Sequence, residues 1–268
     1  MNLLLRRDRA HKVRISRMLG SSLARGYKIE RYKSLPSTNT YLKELAGQGA
    51  DTGLVVIAES QSGGRGRMGR SFYSPDGSGI YMSVLLPPAK STEDTTKITA
   101  FAAVCVSEAI DSLYSVKSEI KWVNDIILAD KKVCGILTES VFDSSKSKIS
   151  HVVLGIGINQ KRAPFPDELS SIAGSIENYS AERHTKDALI AQILKGLSPL
   201  LSGEIPADTM DRYRSRSNLL GKEVFTLTSP EISGIATEIS DKGELVIKDS
   251  LGTLHRIGAG EVSVREKK

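Results

Sequence analysis

Apolar and polar residues alternate with clear helix and strand periods from about residue 37 onward. An N-capping residue at Ser37 or Thr38 precedes apolar positions at helical spacing, which predicts a helix ending near Gly47. Two short apolar runs at 54–58 and 80–86 predict buried strands. The long segment between these strands is rich in glycine and arginine and is predicted to be a loop.

The pattern continues through the middle of the chain with a second helix and more strands. Apolar residues at helical spacing predict a helix over 98–113. Two strand-like runs, 120–128 and 132–142, are joined by a tight turn and predict a hairpin, and a strand over 151–158 follows. Segments 184–201 and 208–218 have helical periodicity.

The last fifty residues have a different texture, with short alternating runs separated by turn residues. Five short strands are predicted, at 224–227, 235–239, 244–248, 254–257 and 262–264. That number of strands in so short a segment favours a small β-barrel. We therefore expect a body of helices and strands over 28–218 and a small all-β domain over 219–268.

Composition narrows the class of protein. The chain has 268 residues, 40% of them hydrophobic and 25% charged, which is typical of a globular protein. No apolar run approaches the roughly 18 residues that span a bilayer, so an integral membrane protein is excluded and no membrane partner is expected. Cys105 and Cys134 lie in apolar stretches and are expected in the core of a protein from a reducing compartment, the cytoplasm.

The net charge of +6 belongs to one end of the chain. Residues 1–27 contain seven arginines and lysines against one acidic residue, so residues 28–268 carry no net charge. A neutral body argues against nucleic acid as a partner. The basic extension at 1–27 has three interpretations: a solvated or surface-docked segment, an organelle transit peptide, or an arm that binds a polyanion.

Several common site motifs can be excluded. Residues 64–69 match G-x-G-x-x-G, but a loop and then a strand follow instead of a helix, so the dinucleotide-binding interpretation fails. The chain has neither a P-loop motif nor the G-x-S-x-G elbow of serine hydrolases. The four histidines and two cysteines lack the spacing of a zinc site, so no metal site made of protein groups alone is expected.

Three short segments carry candidate chemistry. The loop at 64–70 presents three arginines between glycines, which suits an anionic ligand, although a surface loop or a nucleic-acid contact has the same composition. Residues 121–125 read Lys-Trp-Val-Asn-Asp, with Lys132 across the predicted turn. Residues 155–159 place two glycines before Asn159 at the end of a strand, where close approach of a ligand is common.

Together these segments resemble the biotin–protein ligase family, the biotin–[acetyl-CoA-carboxylase] ligases. The matching pieces occur in the family's order and are 37–39, 59–61 leading into 64–70, 121–125, 132–137 and 157–159. The resemblance runs from about residue 28 to the C-terminus. It implies an α+β fold, with a mixed-sheet catalytic domain of the biotin/lipoate ligase type and a C-terminal SH3-like β-barrel.

The sequence departs from the family pattern at a few positions. Val123 stands where proline is usual, Met68 replaces an arginine of some members, and Phe72 stands where tryptophan is common. The thirty or so residues before Ser34 are too few for the winged-helix DNA-binding domain of the repressor members. We therefore expect a short form of the family with ligase activity and no repressor function.

The resemblance implies a two-step reaction in which biotin and ATP form biotinyl-5′-AMP, with Mg²⁺ on the phosphates. A lysine of a biotin carboxyl carrier domain then takes the biotin. It implies catalytic roles for Lys132, Arg67 and Asp125. The implied biotin-binding residues are Ser37, Thr38, Asn39, Gln61, Gly64, Arg65, Gly66, Arg67, Lys132 and Gly135. The implied ATP-binding residues are Arg65, Arg67, Arg70, Phe72, Asn124, Lys132 and Asn159.

Two other functions stay open at this point. A lipoate–protein ligase or lipoyl/octanoyl transferase shares the fold, although its loop usually has a different Arg/Gly pattern. A nucleic-acid-binding module would require a basic stripe across the folded body. The sequence also leaves open whether the protein forms a homodimer.

Overall fold

Strands and helices occupy most of the chain in the computed structural model, which describes residues 8–143, 148–227, 229–258 and 264–266. The strands are β1 (Lys28–Leu35), β2 (Leu54–Gln61), β3 (Gly79–Leu86), β4 (Glu119–Lys121), β5 (Asp125–Leu128), β6 (Lys131–Asp143), β7 (Lys148–Asn159), β8 (Glu223–Thr226), β9 (Ser233–Ile239), β10 (Leu245–Lys248), β11 (Leu254–Ile257) and β12 (Val264–Glu266). The α-helices are α1 (Asp8–Leu19), α2 (Ser21–Ala24), α3 (Thr38–Gly47), α4 (Thr92–Tyr114), α5 (Asp167–Ser170), α6 (Lys186–Leu197) and α7 (Thr209–Ser215).

The first seven strands form one mixed sheet in the order β1-β2-β3-β7-β6-β5-β4. Strands β1 and β2 are parallel, and the other neighbours are antiparallel. The main hydrophobic core joins one face of this sheet to α1, α4, α6 and α7. A smaller cluster packs α3 against the other face. This architecture confirms the expected mixed-sheet α+β domain.

The last five strands form a second, antiparallel sheet in the order β11-β10-β9-β8-β12. It corresponds to the small all-β module expected from the resemblance. The predicted strand at 262–264 lies mostly outside the described residues, and the structure places β12 over Val264–Glu266. No helix in the described part of the chain is long and apolar enough to cross a membrane.

The prediction of one continuous strand over 120–128 is wrong. The chain turns back at Trp122–Asn124, so that β4 and β5 pair with each other and Lys121 lies opposite Asp125. The turn was hidden because Trp122 and Val123 are apolar, and both are buried. They are buried in the main core, which also includes residues of the C-terminal sheet.

The predicted helices at 184–201 and 208–218 are shorter than expected. Helix α6 begins at Lys186 after an N-cap at Thr185, and residues Ser198–Ser202 continue as a 3-10 turn that contains Pro199. Helix α7 ends at Ser215, and the chain then pairs with β4 through Ser217 and Ile120.

The basic extension is docked on the surface of the sheet domain from Asp8 onward. Helix α1 places Ile15 and Leu19 in the main core and packs against α6. His11 and Arg14 contact Asp187 at the start of α6, at 2.8 and 2.9 Å. Residues 1–7 of the extension lie outside the described residues.

Candidate active site

A cleft of about 880 Å³ opens on the face of the sheet that carries α3. One row of residues across five neighbouring strands forms part of its floor. In sheet order this row is the buried Tyr81 and then Gly157, Gly135, Asp125 and Lys121, the last four of which line the cleft. The row therefore brings two glycines, a carboxylate and an ammonium group to one surface, from segments that are far apart in sequence.

The two glycines make room for an aromatic ring. A Cβ atom at position 157 would lie 2.7 Å from the Phe72 ring, and one at position 135 would lie 3.3 Å from it. Phe72 also makes an edge-to-face contact with Tyr81, and the Lys132 Nζ lies 5.9 Å from its ring centroid. The ring is thus held over the floor by close packing.

The glycine-rich loop is a narrow hairpin. The Phe72 N–H donates to the Gly64 carbonyl at 2.9 Å, and the Gly66 N–H donates to the Arg70 carbonyl at 2.7 Å. Met68 and Gly69 form the tip with positive φ angles of 55° and 72°. Gly64 itself is buried behind the hairpin, where a Cβ atom would overlap the Phe72 carbonyl.

The loop brings cations toward the row of floor residues. The Arg67 guanidinium donates to Asn124 Oδ1 at 3.3 Å, and burial lowers the pKa of Arg67 although the charge of Asp125 opposes this. The Lys132 Nζ lies 2.7 Å from Asp125 Oδ1. Asp125 thus pairs with Lys132, and its charge acts on Arg67, so the cleft combines two cations with one carboxylate, an arrangement suited to an anionic ligand.

The inner end of the cleft is polar and closely bonded. Ser37 caps α3, and the backbone N–H of Thr38 donates to Gln61 Oε1 at 2.8 Å. Gln61 in turn donates to Ser74 Oγ at 2.9 Å. Asn39 lies over Gly155, where a side chain would overlap its amide. Small-molecule sites commonly combine an apolar wall with a few fixed polar groups of this kind.

The structure brings almost all the sequence-predicted site residues into this cleft. The lining includes Ser37, Thr38, Asn39, Gln61, Arg65, Gly66, Arg67, Arg70, Phe72, Asn124, Asp125, Lys132, Gly135 and Asn159. Gly64 is the exception, since it supports the loop from behind. Among the described residues, no group of three histidine, cysteine, aspartate or glutamate side chains could hold a metal ion.

Comparison with known protein families gives two matches along the chain. Residues 32–159 match the biotin/lipoate A/B protein ligase family, and residues 219–265 match the biotin protein ligase C-terminal domain. The two matches together span well over half of the chain, and the second is named for biotin protein ligases alone. This chain belongs to the biotin protein ligase family.

Individual members of the biotin protein ligase family resemble the chain to different extents. The bifunctional ligase/repressor BirA of Bacillus spizizenii is 40% identical over 162 residues, which are 60% of this chain and 49% of that protein. The biotin–[acetyl-CoA-carboxylase] ligase of Mycobacterium tuberculosis is 29% identical over 84% of this chain and 85% of its own length. The chain thus spans about half the length of the Bacillus relative.

A solved structure of a biotin protein ligase agrees with the fold. The enzyme from Aquifex aeolicus, in complex with biotin and ATP, superposes with a TM-score of 0.77 and 27% identity. The superposition covers 90% of this chain and 99% of the Aquifex chain.

Two polar residues beside the cleft are not predicted from the sequence. Ser83 is fully buried and bonds to Asn39, and Glu139 on β6 binds Asn39, Lys43 and Arg65. Ser83 could have been noticed in the sequence, because it is a polar residue inside the apolar run 80–86. Glu139 gave no such signal, because a glutamate near the end of a long strand is usually solvated.

The C-terminal sheet also reaches the cleft. Leu227, which follows β8, and Glu266 of β12 lie among the lining residues, together with Asn218 and Leu219 from the connecting segment. Trp122 Nε1 donates to the Gly243 carbonyl at 3.0 Å, which ties the turn between β4 and β5 to the C-terminal domain. In this biotin-ligase-family chain, the two domains therefore border one site.

Proposed function

We propose that this chain is an ATP-dependent biotin–protein ligase, which activates biotin to biotinyl-5′-AMP and transfers it to a lysine of a biotin carboxyl carrier domain. The observation that supports this most strongly is the cleft itself. Its polar inner end at Ser37, Thr38 and Gln61 leads to a cationic centre at Arg67 and Lys132. A neutral ring with a carboxylate tail and a nucleotide phosphate would fit those two ends.

The first step joins two anions. A biotin carboxylate oxygen forms a bond to the α-phosphorus of ATP, while the bond from this phosphorus to the bridging oxygen breaks and pyrophosphate leaves. The carboxylate is already ionised at neutral pH, so no general base is needed. What the site must supply is positive charge, and we assign this role to Lys132, Arg65 and Arg67.

Lys132 is placed so that its ammonium group could exchange Asp125 for a bound anionic ligand. Its ammonium group pairs with Asp125 at 2.7 Å. A bound carboxylate and α-phosphate would compete for the same group. Arg70, Phe72, Asn124 and Asn159 also line the cleft and are the proposed nucleotide contacts.

Magnesium belongs to the ATP substrate in this proposal. The carboxylates of the described chain do not cluster into a metal cage, and Asp125 is a single carboxylate already paired with Lys132. Mg²⁺ commonly binds through substrate phosphates with one or two carboxylates. The chain's own cations then complement the charge on the phosphates.

The second step needs a neutral amine. The acceptor lysine, with a reference pKa near 10.4, must lose a proton before its nitrogen attacks the acyl carbon of the mixed anhydride. The carbon–oxygen bond to AMP then breaks and an amide forms. Asp125 is the carboxylate nearest the cationic centre, and we propose that it orients the amine and accepts its proton.

We propose a carrier protein as the partner, with no nucleic acid. Residues 28–268 have no net charge, and Arg14 of the basic extension is engaged with Asp187. Cys105 and Cys134 are free and buried, and burial raises the pKa of the Cys105 thiol to about 12. Unpaired cysteines fit the reducing cytoplasm, where we place the reaction.

The deciding experiment measures pyrophosphate release from the purified full chain with Mg·ATP and biotin, with Mg·ATP and lipoate, and with Mg·ATP alone. We expect release only with biotin, followed by transfer of labelled biotin to a carrier domain. Release with lipoate alone would assign the fold to a lipoate ligase. Absence of release with either acid, from protein with a cooperative thermal transition, would refute the proposed ligase activity.

A further inference from the structure

Strand β6 forms part of the cleft floor and extends past the lining residues to Glu139. Residues two apart on a strand share a face, so Gly135, Leu137 and Glu139 point to the same side. Gly135 and Leu137 line the cleft, and Glu139 lies one step behind them, with 18% of its side chain exposed.

Glu139 is held as a carboxylate by three groups. It accepts from Asn39 Nδ2 at 2.9 Å and from Lys43 Nζ at 2.8 Å, and Arg65 lies 3.5 Å away. Burial alone would raise the pKa of the Glu139 carboxyl. The bonds from Lys43 and Asn39 and the charges of Lys43 and Arg65 outweigh burial and lower that pKa. The group is therefore an acceptor only.

An acceptor at this position decides which way the Asn39 amide faces. The amide nitrogen must point to Glu139 and to the Leu137 carbonyl, 3.2 Å away, because neither can donate a hydrogen bond. The amide oxygen then faces Ser83, whose Oγ lies 2.6 Å from it. The single proton of the Ser83 hydroxyl is thus used on Asn39.

The assignment of donors and acceptors extends from Ser83 to Thr38 at the cleft surface. Ser83 Oγ and Thr38 Oγ1 lie 2.8 Å apart, and Ser83 can then only accept in that contact. Gln61 Oε1, 3.1 Å from Thr38 Oγ1, is also an acceptor, because the Gln61 amide nitrogen donates to Ser74. The Thr38 proton therefore points into the protein, and the lone pairs of its oxygen are left for the ligand.

We infer that Glu139 is a positioning residue that fixes the proton order Thr38–Ser83–Asn39 and so makes the inner end of the cleft an acceptor for N–H groups. A cyclic urea presents two N–H donors, whereas a dithiolane ring presents none. Glu139 would thereby select a ureido ligand without touching it. This inference rests on the proposed function, in which biotin is the ligand.

The test uses the isosteric variant Glu139→Gln, since a glutamine amide can donate as well as accept, so that only the Leu137 carbonyl still orients Asn39. We expect the dissociation constant for biotin, measured by calorimetry without ATP, to rise about 10-fold, the effect of losing one hydrogen bond between the ligand and the inner end of the cleft. Desthiobiotin, which keeps the urea, should lose the same factor. The affinity for lipoate should not change, and kcat at saturating biotin should stay close to that of wild type.

Asp111→Asn is the matched control for stability. Asp111 is 19% exposed and pairs with Arg216 at 2.6 Å away from the cleft, so its loss also leaves a cation without its carboxylate. Both variants should lower the thermal midpoint, while the affinity for biotin changes in Glu139→Gln alone. Equal loss of affinity in both variants would attribute the effect to general destabilisation.

A double-mutant cycle with Ser83→Ala tests whether Glu139 acts on the ligand site through Ser83. Ser83→Ala removes the hydroxyl that relays the order, so Glu139→Gln should add little to the loss of biotin affinity in that background. A full additional loss, or an equal loss of lipoate affinity, would show that Glu139 acts through Arg65 on the ligand tail and would overturn the inference. Wild-type protein that binds biotin without releasing pyrophosphate would refute the ligase activity alone. Wild-type protein that binds no biotin would refute both proposals.

Discussion

Two opposed glycines determine how far an aromatic ring enters the cleft. Gly135 and Gly157 are direct cross-strand partners, and the Phe72 ring covers both. Neither glycine is needed for an unusual backbone angle, since neither has a positive φ. Their role is therefore spatial, and it can be examined with the smallest possible side chain.

Gly157→Ala should displace the Phe72 ring, because the new methyl group would lie 2.7 Å from it. Overpacking of this kind costs about 1–3 kcal/mol. We expect kcat/KM for ATP to fall by about 10-fold, which corresponds to 1.4 kcal/mol. Gly47→Ala is the control, because a Cβ atom there meets nothing within 4 Å. A Gly157→Ala enzyme with wild-type kinetics would mean that the ring position is irrelevant to nucleotide binding.

Arg67→Ala should slow adenylation while leaving the fold intact. The guanidinium donates to Asn124 Oδ1 at 3.3 Å, and its proposed partners are the phosphates. Loss of one preorganised donor typically reduces the rate about 100-fold or more. Single-turnover pyrophosphate release measures this, with Arg183→Ala as a control at a site outside the cleft lining. An unchanged rate would remove Arg67 from the catalytic assignment.

The sequence predicts which side chains lie in the cleft better than it predicts the hydrogen bonds and ion pairs between them. Lys132, Arg67 and Asp125 lie in short motifs whose composition points to anion chemistry. The Lys132–Asp125 pair joins β5 and β6 across the predicted turn, whereas the position of Lys121 opposite Asp125 depends on the turn between β4 and β5, which apolar residues concealed. Ser83 and Glu139 come from two different strands and meet only through Asn39, so no local pattern could connect them.

At the scale of elements, helix α1 is joined to the sheet by a buried ionic cluster. Asp187 is 3% exposed and accepts from His11, Arg14 and Arg31, and Arg31 also pairs with Glu59. Burial alone would raise the pKa of Asp187, but His11 and Arg31 outweigh burial and lower it. The cluster thus links the N-terminal helix to β1, β2 and α6.

Asp187→Asn should destabilise the protein by about 3 kcal/mol at pH 7, the usual cost of breaking a buried ion pair. Because the folded pKa is lowered, the contribution of Asp187 is fully present above its unfolded pKa of about 3.9 and is lost as pH falls below that value. The difference in unfolding free energy between wild type and variant should therefore shrink from pH 5 to pH 3. Urea unfolding at several pH values measures it, and a constant difference would contradict this role.

Strand β1 shows why some elements escape sequence analysis. Its residues, Lys28–Leu35, read as mostly polar, and no strand is predicted there. The strand lies at the sheet edge, and Arg31 is buried because Asp187 and Glu59 compensate its charge. A tertiary ion cluster thus allows a strand whose sequence lacks the apolar alternation of the others.

In the molecule as a whole, hydrogen bonds and an ion pair hold the C-terminal domain beside the cleft. Arg214 of α7 donates to the Ile239 carbonyl at 2.6 Å and pairs with Asp241. Two residues after Asp241, the Gly243 carbonyl accepts from Trp122. Trp122 is the only tryptophan of the chain, so its fluorescence reports on this junction.

Arg214→Ala should loosen the junction and shift the Trp122 emission to longer wavelength, because water would reach the indole. Loss of the bond to the Ile239 carbonyl should cost about 1–2 kcal/mol. Arg256→Ala, which removes a peripheral pair with Glu244 at 3.5 Å, is the control and should leave the emission unchanged. An unshifted spectrum for Arg214→Ala would show that the junction does not depend on this arginine.

Because of the hydrogen bond from Trp122 to Gly243, a polypeptide cut between its two domains would need both fragments to complete the site. This bond crosses from one domain to the other, and the connecting segment near Asn218 is the only stretch of described chain that runs between the two sheets. A chain cut after residue 218 would give one fragment with the cationic centre and another with the carbonyl that holds its turn. Enzymatic output would then depend on reunion of the fragments, as in a complementation reporter, and biotin attached to a carrier would record that reunion permanently.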